Sequence, residues 1–255
     1  MTTTTDKTLL PANSVTLPER GWRIAPAHAL LAATVCWAGF FAMVFAVNRN
    51  LTTGFDAAGL LVWRTGTDLH ARAPGWVLEG VRDFTALGGV LLRNIIALGA
   101  IAALLFLLLR REAVLLAATI ASGWIVDSLI KHFVGRPRPT LVSHLTEAGG
   151  TSFPSGHSFN SAVVYFGIAL AFAAISPRRA VRWTLIASAA VLVLLVAMSR
   201  VWLGVHYPSD VVAGALGGAA WAFTASAVLY RPARAVADTG AETLEAITPG
   251  EVSVT

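Results

Sequence analysis

Three polar clusters interrupt an otherwise apolar chain, and their residue types suit phosphoryl chemistry. The first holds Lys131 and Arg138-Pro139, the second Pro154-Ser155-Gly156-His157, and the third Ser199-Arg200, His206 and Asp210. A phosphoryl group in transfer spreads negative charge over its equatorial oxygens, and positive, directional donors stabilise it. Lys131, Arg138 and Arg200 offer three cations from three segments. Arginine's planar fork suits bidentate contact with phosphate oxygens. Ser155 adds a hydroxyl, and a helix beginning beside it would aim backbone N–H groups at an anion. Gly156 lets the backbone approach such a ligand closely.

Two histidines remain for bond making and breaking. His206 can attack through a neutral ring nitrogen, while Asp210 holds the proton on the other nitrogen and fixes the tautomer. Pro208 fits the first turn of a helix, where its missing N–H costs nothing. His157 can protonate the departing oxygen and later activate water. The scheme runs through a phosphohistidine and requires neither a metal nor a cofactor.

Each piece also has a plainer reading. Asp127 and Lys131 are four apart, the spacing of an ordinary helix ion pair that would position Lys131. Arg136 reads as a solvent-facing neighbour, and His132 and His144 have no evident partner. Ser158 and Asn160 read as packing or hydrogen-bonding residues, and Ser199 and Pro154 as structural. Together the clusters are harder to dismiss. Pro-Ser-Gly-His alone is expected about 0.002 times in a chain this long if each residue type occurs about one time in twenty.

The elements that must carry these residues are membrane helices. Of 255 residues, 56% are apolar and 13% charged, against about 25% charged in an ordinary soluble domain. Mean hydropathy is +0.68. The net charge of +5 comes almost wholly from arginine, since Lys7 and Lys131 are the only lysines. Those arginines lie at the ends of apolar runs, which favours a membrane over a nucleic-acid partner. The single cysteine, Cys36, allows no intrachain disulfide.

A spanning helix takes about 20 mostly apolar residues. Six stretches qualify, at 27–47, 87–109, 113–131, 157–175, 181–199 and 210–230. The first is too long for the apolar core of a signal peptide and reads as a retained anchor. The expected class is therefore all-α: one polytopic bundle of six transmembrane helices over 27–230. Polar tails, expected to be disordered and cytoplasmic, flank it at 1–26 and 231–255. Residues 58–86 mix Leu60, Trp63, Trp76 and Val77 with Arg64, Asp68, Arg72 and Glu79, the pattern of one or two short interfacial helices. Arg93 lies about 25 Å of helix from Arg110, near an interface where it is expected to snorkel.

Loop charge orients the bundle. Arg110-Arg111, then Arg178, Arg179 and Arg182, then Arg231 and Arg234 mark one set of turns as cytoplasmic. Lys131 ends the third span, His157 begins the fourth, Arg200 follows the fifth and Asp210 begins the sixth. Alternation puts all four on the opposite, extracytoplasmic side, so hydropathy alone gathers the clusters.

These residues resemble the signature of the type 2 phosphatidic acid phosphatase family. Its motifs read Lys-x6-Arg-Pro, Pro-Ser-Gly-His and Ser-Arg-x5-His-x3-Asp. Here they stand as KHFVGRPRP (131–139), PSGH (154–157) and SRVWLGVHYPSD (199–210), with every motif position matched. The resemblance implies an all-helical bundle and a nucleophile at His206 supported by Asp210. It implies His157 as general acid and Lys131, Arg138, Ser155, Gly156 and Arg200 as phosphate ligands. It also implies a lipid phosphate or diphosphate as substrate: undecaprenyl diphosphate, phosphatidylglycerol phosphate or phosphatidic acid. An outward site favours recycling of an isoprenoid carrier. Two alternatives stay open, a lipid phosphotransferase using the same intermediate and a non-enzymatic lipid transporter. Nothing in the sequence selects the lipid or the oligomeric state.

Overall fold

The structure, a computed structural model, describes residues 26–247 apart from Asp68, Arg72 and Pro177. It is helical almost throughout. In chain order the elements are α1 (Pro26–Asn48), α2 (Thr53–Leu61), β1 (Arg64–Thr65), β2 (His70–Ala71), α3 (Gly75–Gly88), α4 (Val90–Phe106), α5 (Arg110–Val134), α6 (Gly156–Ile175), α7 (Arg179–Trp202) and α8 (Pro208–Ile247). The two short strands form an antiparallel hairpin, Arg64 opposite Ala71 and Thr65 opposite His70. The loop expected to hold one or two short interfacial helices contains two helices, α2 and α3.

Five helices are individually long and apolar enough to cross a membrane, and α3 with α4, bent by 50° at their junction, passes the same test as a pair, which makes up to six. The bend falls at Gly88-Gly89, where two residues of poor helix propensity meet and Gly89 adopts an extended conformation. The second expected span, 87–109, is thus the lower limb of a broken helix. Large apolar side chains such as Leu31, Phe41, Leu98, Ile125, Val191 and Leu194 lie exposed on the outside of the bundle, as a lipid environment favours.

The core forms around α6. Two thirds of its apolar window (67%) is buried, against 17% for α1, so α6 is enclosed while α1 is peripheral. Phe159, Ala162, Val163 and Val164 of α6 are fully buried and pack with Leu104, Leu116, Ile120 and Val193. Small residues bring α8 onto α6. A Cβ at Gly214 would lie 2.7 Å from the Ser155 carbonyl oxygen, and one at Gly218 would collide with that of Phe159. Such close approach is how helices gain contact when lipid removes the hydrophobic drive between them.

One expectation needs correction. Arg93 does not snorkel. It is 4% exposed, its guanidinium donates to the Gly88 carbonyl at 2.9 Å and it lies 6.0 Å from the Trp124 ring centroid. The bend between α3 and α4 turns this first-turn residue inward. α8 runs as a helix through Ile247. Residues 1–25 and 248–255, which make up the remaining expected tails, lie outside the described residues.

Candidate active site

Four helix ends and two loops place the polar clusters together at one end of the bundle. α5 stops at Gly135, whose φ of +62° is the left-handed cap that glycine adopts freely, with its N–H returning to the Lys131 carbonyl at 3.1 Å. The chain then turns Arg136 and Arg138 back over the site. Lys131, in the last turn of α5, donates to Asp127 at 3.0 Å and to the Pro154 carbonyl at 2.5 Å. The spacing-based ion pair is therefore present. Asn160 shares Asp127, donating to its other oxygen at 3.0 Å.

Ser155 precedes α6, and Gly156 and His157 open it. The N–H groups of a first turn have no acceptor within their own helix, and here they lie beside a cation. A Cβ at Gly156 would sit 3.1 Å from the Lys131 ammonium, so only glycine leaves that approach open. His157 is half-buried. It borders the α3–α4 break, 3.2 Å from where a Cβ at Gly88 would stand. Arg200, in the last turn of α7, is 4% exposed and donates to Thr85 Oγ1 of α3 at 3.0 Å. Its Nε is buried without a hydrogen-bond partner among the described residues.

His206 sits in the turn between α7 and α8 and is 2% exposed. Arg138 NH1 lies 3.2 Å from its Nε2. A guanidinium only donates, so Nε2 carries the lone pair and Nδ1 the proton. Arg138 also donates to the carbonyls of Val205 (2.8 Å), Gly149 (2.7 Å) and Gly150 (3.1 Å). On the other edge of the ring, Nδ1 and Asp210 Oδ2 are 3.6 Å apart, too far for a direct hydrogen bond. Ser152 stands between them. Its hydroxyl donates a very short hydrogen bond to Asp210 Oδ2 and lies 3.4 Å from Nδ1. Ser152 thus bridges the His206 ring and the Asp210 carboxylate.

Asp210 is fixed from several directions. It occupies the third position of α8, and Oδ2 accepts the Tyr207 N–H at 2.9 Å, as the acid of a capping box does. Its backbone carbonyl accepts the Ser155 N–H at 3.0 Å, joining the second cluster to the third. Burial pushes the His206 imidazole down from its ordinary 6.5 to about 4, against the opposing pull of Asp210 and with a further push from Arg138 and Arg200. The ring is neutral at physiological pH, the form that can act as a nucleophile. Burial likewise lowers Arg138, with Asp210 opposing, yet an arginine stays charged.

Over 142 aligned residues the chain is 32% identical to phosphatidylglycerophosphatase B of Bacillus subtilis, covering 54% of this chain and 68% of that protein. The chain belongs to the PAP2 superfamily. The PAP2 sequence model matches residues 111–234. Lipid A 1-phosphatase of Rhizobium etli is 34% identical over 44% of this chain and 47% of its own length. Undecaprenyl-diphosphatase BcrC of Bacillus subtilis is 30% identical over 40% of this chain and 50% of its own. A crystal structure of a transmembrane PAP2-type phosphatidylglycerolphosphate phosphatase from Bacillus subtilis superposes with a TM-score of 0.69 at 24% identity, covering 78% of this chain and 96% of that one. The fold is thus that of a membrane PAP2 protein, and the chain is a multi-pass membrane phosphatase.

All eight site residues expected from the sequence lie in or against this one polar cluster. Several participants were not foreseen. Arg136, expected to face solvent, is an ion-pair partner of both Asp56 and Asp210, at 2.7 and 2.6 Å. His144, which had no evident partner, contacts the Pro139 carbonyl through Nε2 at 2.8 Å. Ser152, Ser209, Asp56 and Thr85 carried no motif signal. A lone acid in the apolar stretch around Asp56 was the one available hint, and Asp56 and Thr85 precede the PAP2 match.

Proposed function

We propose that this protein hydrolyses a lipid phosphate or diphosphate through a phosphohistidine at His206. The observation that carries the reading is the Arg138–Nε2 contact at 3.2 Å on a buried histidine. It fixes the lone pair on the ring edge that meets a phosphate-binding side chain. Lys131, Arg138, Arg200, Ser155 and the start of α6 at Gly156 hold the phosphoryl oxygens. Nε2 attacks phosphorus as the bond to the leaving oxygen breaks, and His157 delivers a proton to that oxygen. Ser152 and Asp210 retain the Nδ1 proton and offset the positive charge that develops on the ring. His157, now neutral, takes a proton from water, the oxygen attacks phosphorus, the P–N bond breaks, and phosphate leaves.

The site faces away from the cytoplasm in this reading, with both termini cytoplasmic. The arginine-rich turns at 110–111 and 178–182 support that orientation. The substrate class is undecaprenyl diphosphate, phosphatidylglycerol phosphate or phosphatidic acid. The relatives bear names of phosphatases for three different lipids, so common chemistry rather than one headgroup links them. The test is phosphate release by purified protein in chelator, across those three lipids. Wild-type protein is expected to be active, and His206→Ala to lose activity by a factor on the order of 1,000 or more. Full activity in His206→Ala would overturn the mechanism.

A further inference from the structure

Outside the motif residues, one buried charge cluster touches the catalytic centre. Asp56, on α2, is 2% exposed. Its Oδ1 accepts the Ser209 N–H at 2.9 Å, and its Oδ2 accepts the Ser209 hydroxyl at 2.8 Å and Arg136 NH2 at 2.7 Å. Arg136 NH1 reaches the Ser209 hydroxyl at 2.8 Å and Asp210 Oδ1 at 2.6 Å. The guanidinium carbon stands over Tyr207, 4.1 Å from its ring centroid. Two carboxylates and a ring therefore fix one arginine, and that arginine holds the Asp210 oxygen that Ser152 does not use.

A steric observation points the same way. Any Cβ at Gly59 would collide with the Pro208 ring, so α2 lies directly on the first turn of α8. Asp56 thereby puts a carboxylate at a helix amino-terminus, where negative charge is favoured. Burial alone would weaken the proton affinity of Arg136, but the Asp56 and Asp210 carboxylates more than offset it and its pKa is raised.

We propose that Arg136 and Asp56 are positioning residues for the nucleophile. The clamp Asp56–Arg136–Asp210 fixes the carboxylate that, through Ser152, sets the tautomer and angle of the His206 ring. Neither residue touches substrate. The first extramembrane loop is then a built-in part of the catalytic centre, since one end of the clamp stands on α2. This inference rests on His206 as the nucleophile.

The test compares Arg136→Gln and Asp56→Asn with wild type and His206→Ala in detergent. Each variant is first shown to be folded by its thermal transition. Phosphate release is then resolved into kcat and KM, and the His206 ring is followed by nitrogen NMR in ring-labelled protein. A positioning role lowers kcat on the order of 100-fold, the cost of a misplaced reacting group, with KM little changed. It also shifts the His206 nitrogen resonances away from the Nδ1–H form. The double variant is expected to lose little beyond either single one, because both act through Asp210. Should one substitution prevent folding, the other carries the test, since Asp56→Asn preserves shape and an acceptor for the Ser209 N–H. Unchanged kcat and unchanged His206 resonances in a folded variant overturn the proposal, while activity in His206→Ala overturns the reading beneath it.

Discussion

Ser152 stands between His206 and Asp210, so the carboxylate acts on the imidazole through a hydroxyl. A hydroxyl has one hydrogen, and here Asp210 takes it, which leaves the serine oxygen to accept Nδ1–H. Ser152→Ala is expected to leave Nδ1–H without its partner and lower kcat by about 10- to 100-fold, as steady-state assays would show. The depressed His206 value has a definite sign. The folded ring holds its proton only below about 4, whereas an unfolded one takes it up near 6.5. Histidine NMR should find His206 neutral down to about pH 4. The contribution of this group to stability is full above about 6.5 and is lost as pH falls through about 4. A transition near 6.5 in the folded protein would contradict the burial argument.

The helices show how much of this was readable beforehand. Spans α1, α5, α6, α7 and α8 announce themselves by length and apolar composition, so topology gathered Lys131, His157, Arg200 and Asp210 at one end without any contact being known. Those residues were legible because each belongs to a short pattern of particular types at particular spacings within one segment. Arg136 and Asp56 were not, because their partners lie 74 and 80 residues away along the chain and neither spacing leaves a local pattern. Arg93 was misplaced for a related reason: hydropathy treats 87–109 as a straight span, while Gly88-Gly89 bends it. Glycine serves different ends in these helices. Gly218→Val would drive methyl groups into the Phe159 carbonyl and force α8 from α6, for a loss of at least about 1–3 kcal/mol. Gly99, in α4, has open space at its Cβ, and Gly99→Ala should gain about 0.5–1 kcal/mol. Thermal unfolding in detergent distinguishes the two.

Across the protein, the motif residues gather at one end, and the exterior of the bundle is apolar. That asymmetry suits a substrate whose tail stays in lipid while its phosphate enters the protein. It also makes orientation a property of the entire chain. A reporter fused after Arg231 is expected to be cytoplasmic, and an extracytoplasmic reporter would place the site inside. Vanadate, which adopts the five-coordinate geometry of a phosphoryl group in flight, should inhibit phosphate release with any of the three lipids.

The Arg138–His206 contact has a consequence for the resting protein. While the guanidinium donates to Nε2, the nucleophile's only free electron pair is occupied by a harmless hydrogen bond. An incoming phosphate carries oxygens that are stronger acceptors for the same N–H groups, and as Arg138 turns to them it frees Nε2. With His206 as the proposed nucleophile, the substrate that needs this nitrogen would also be what frees it.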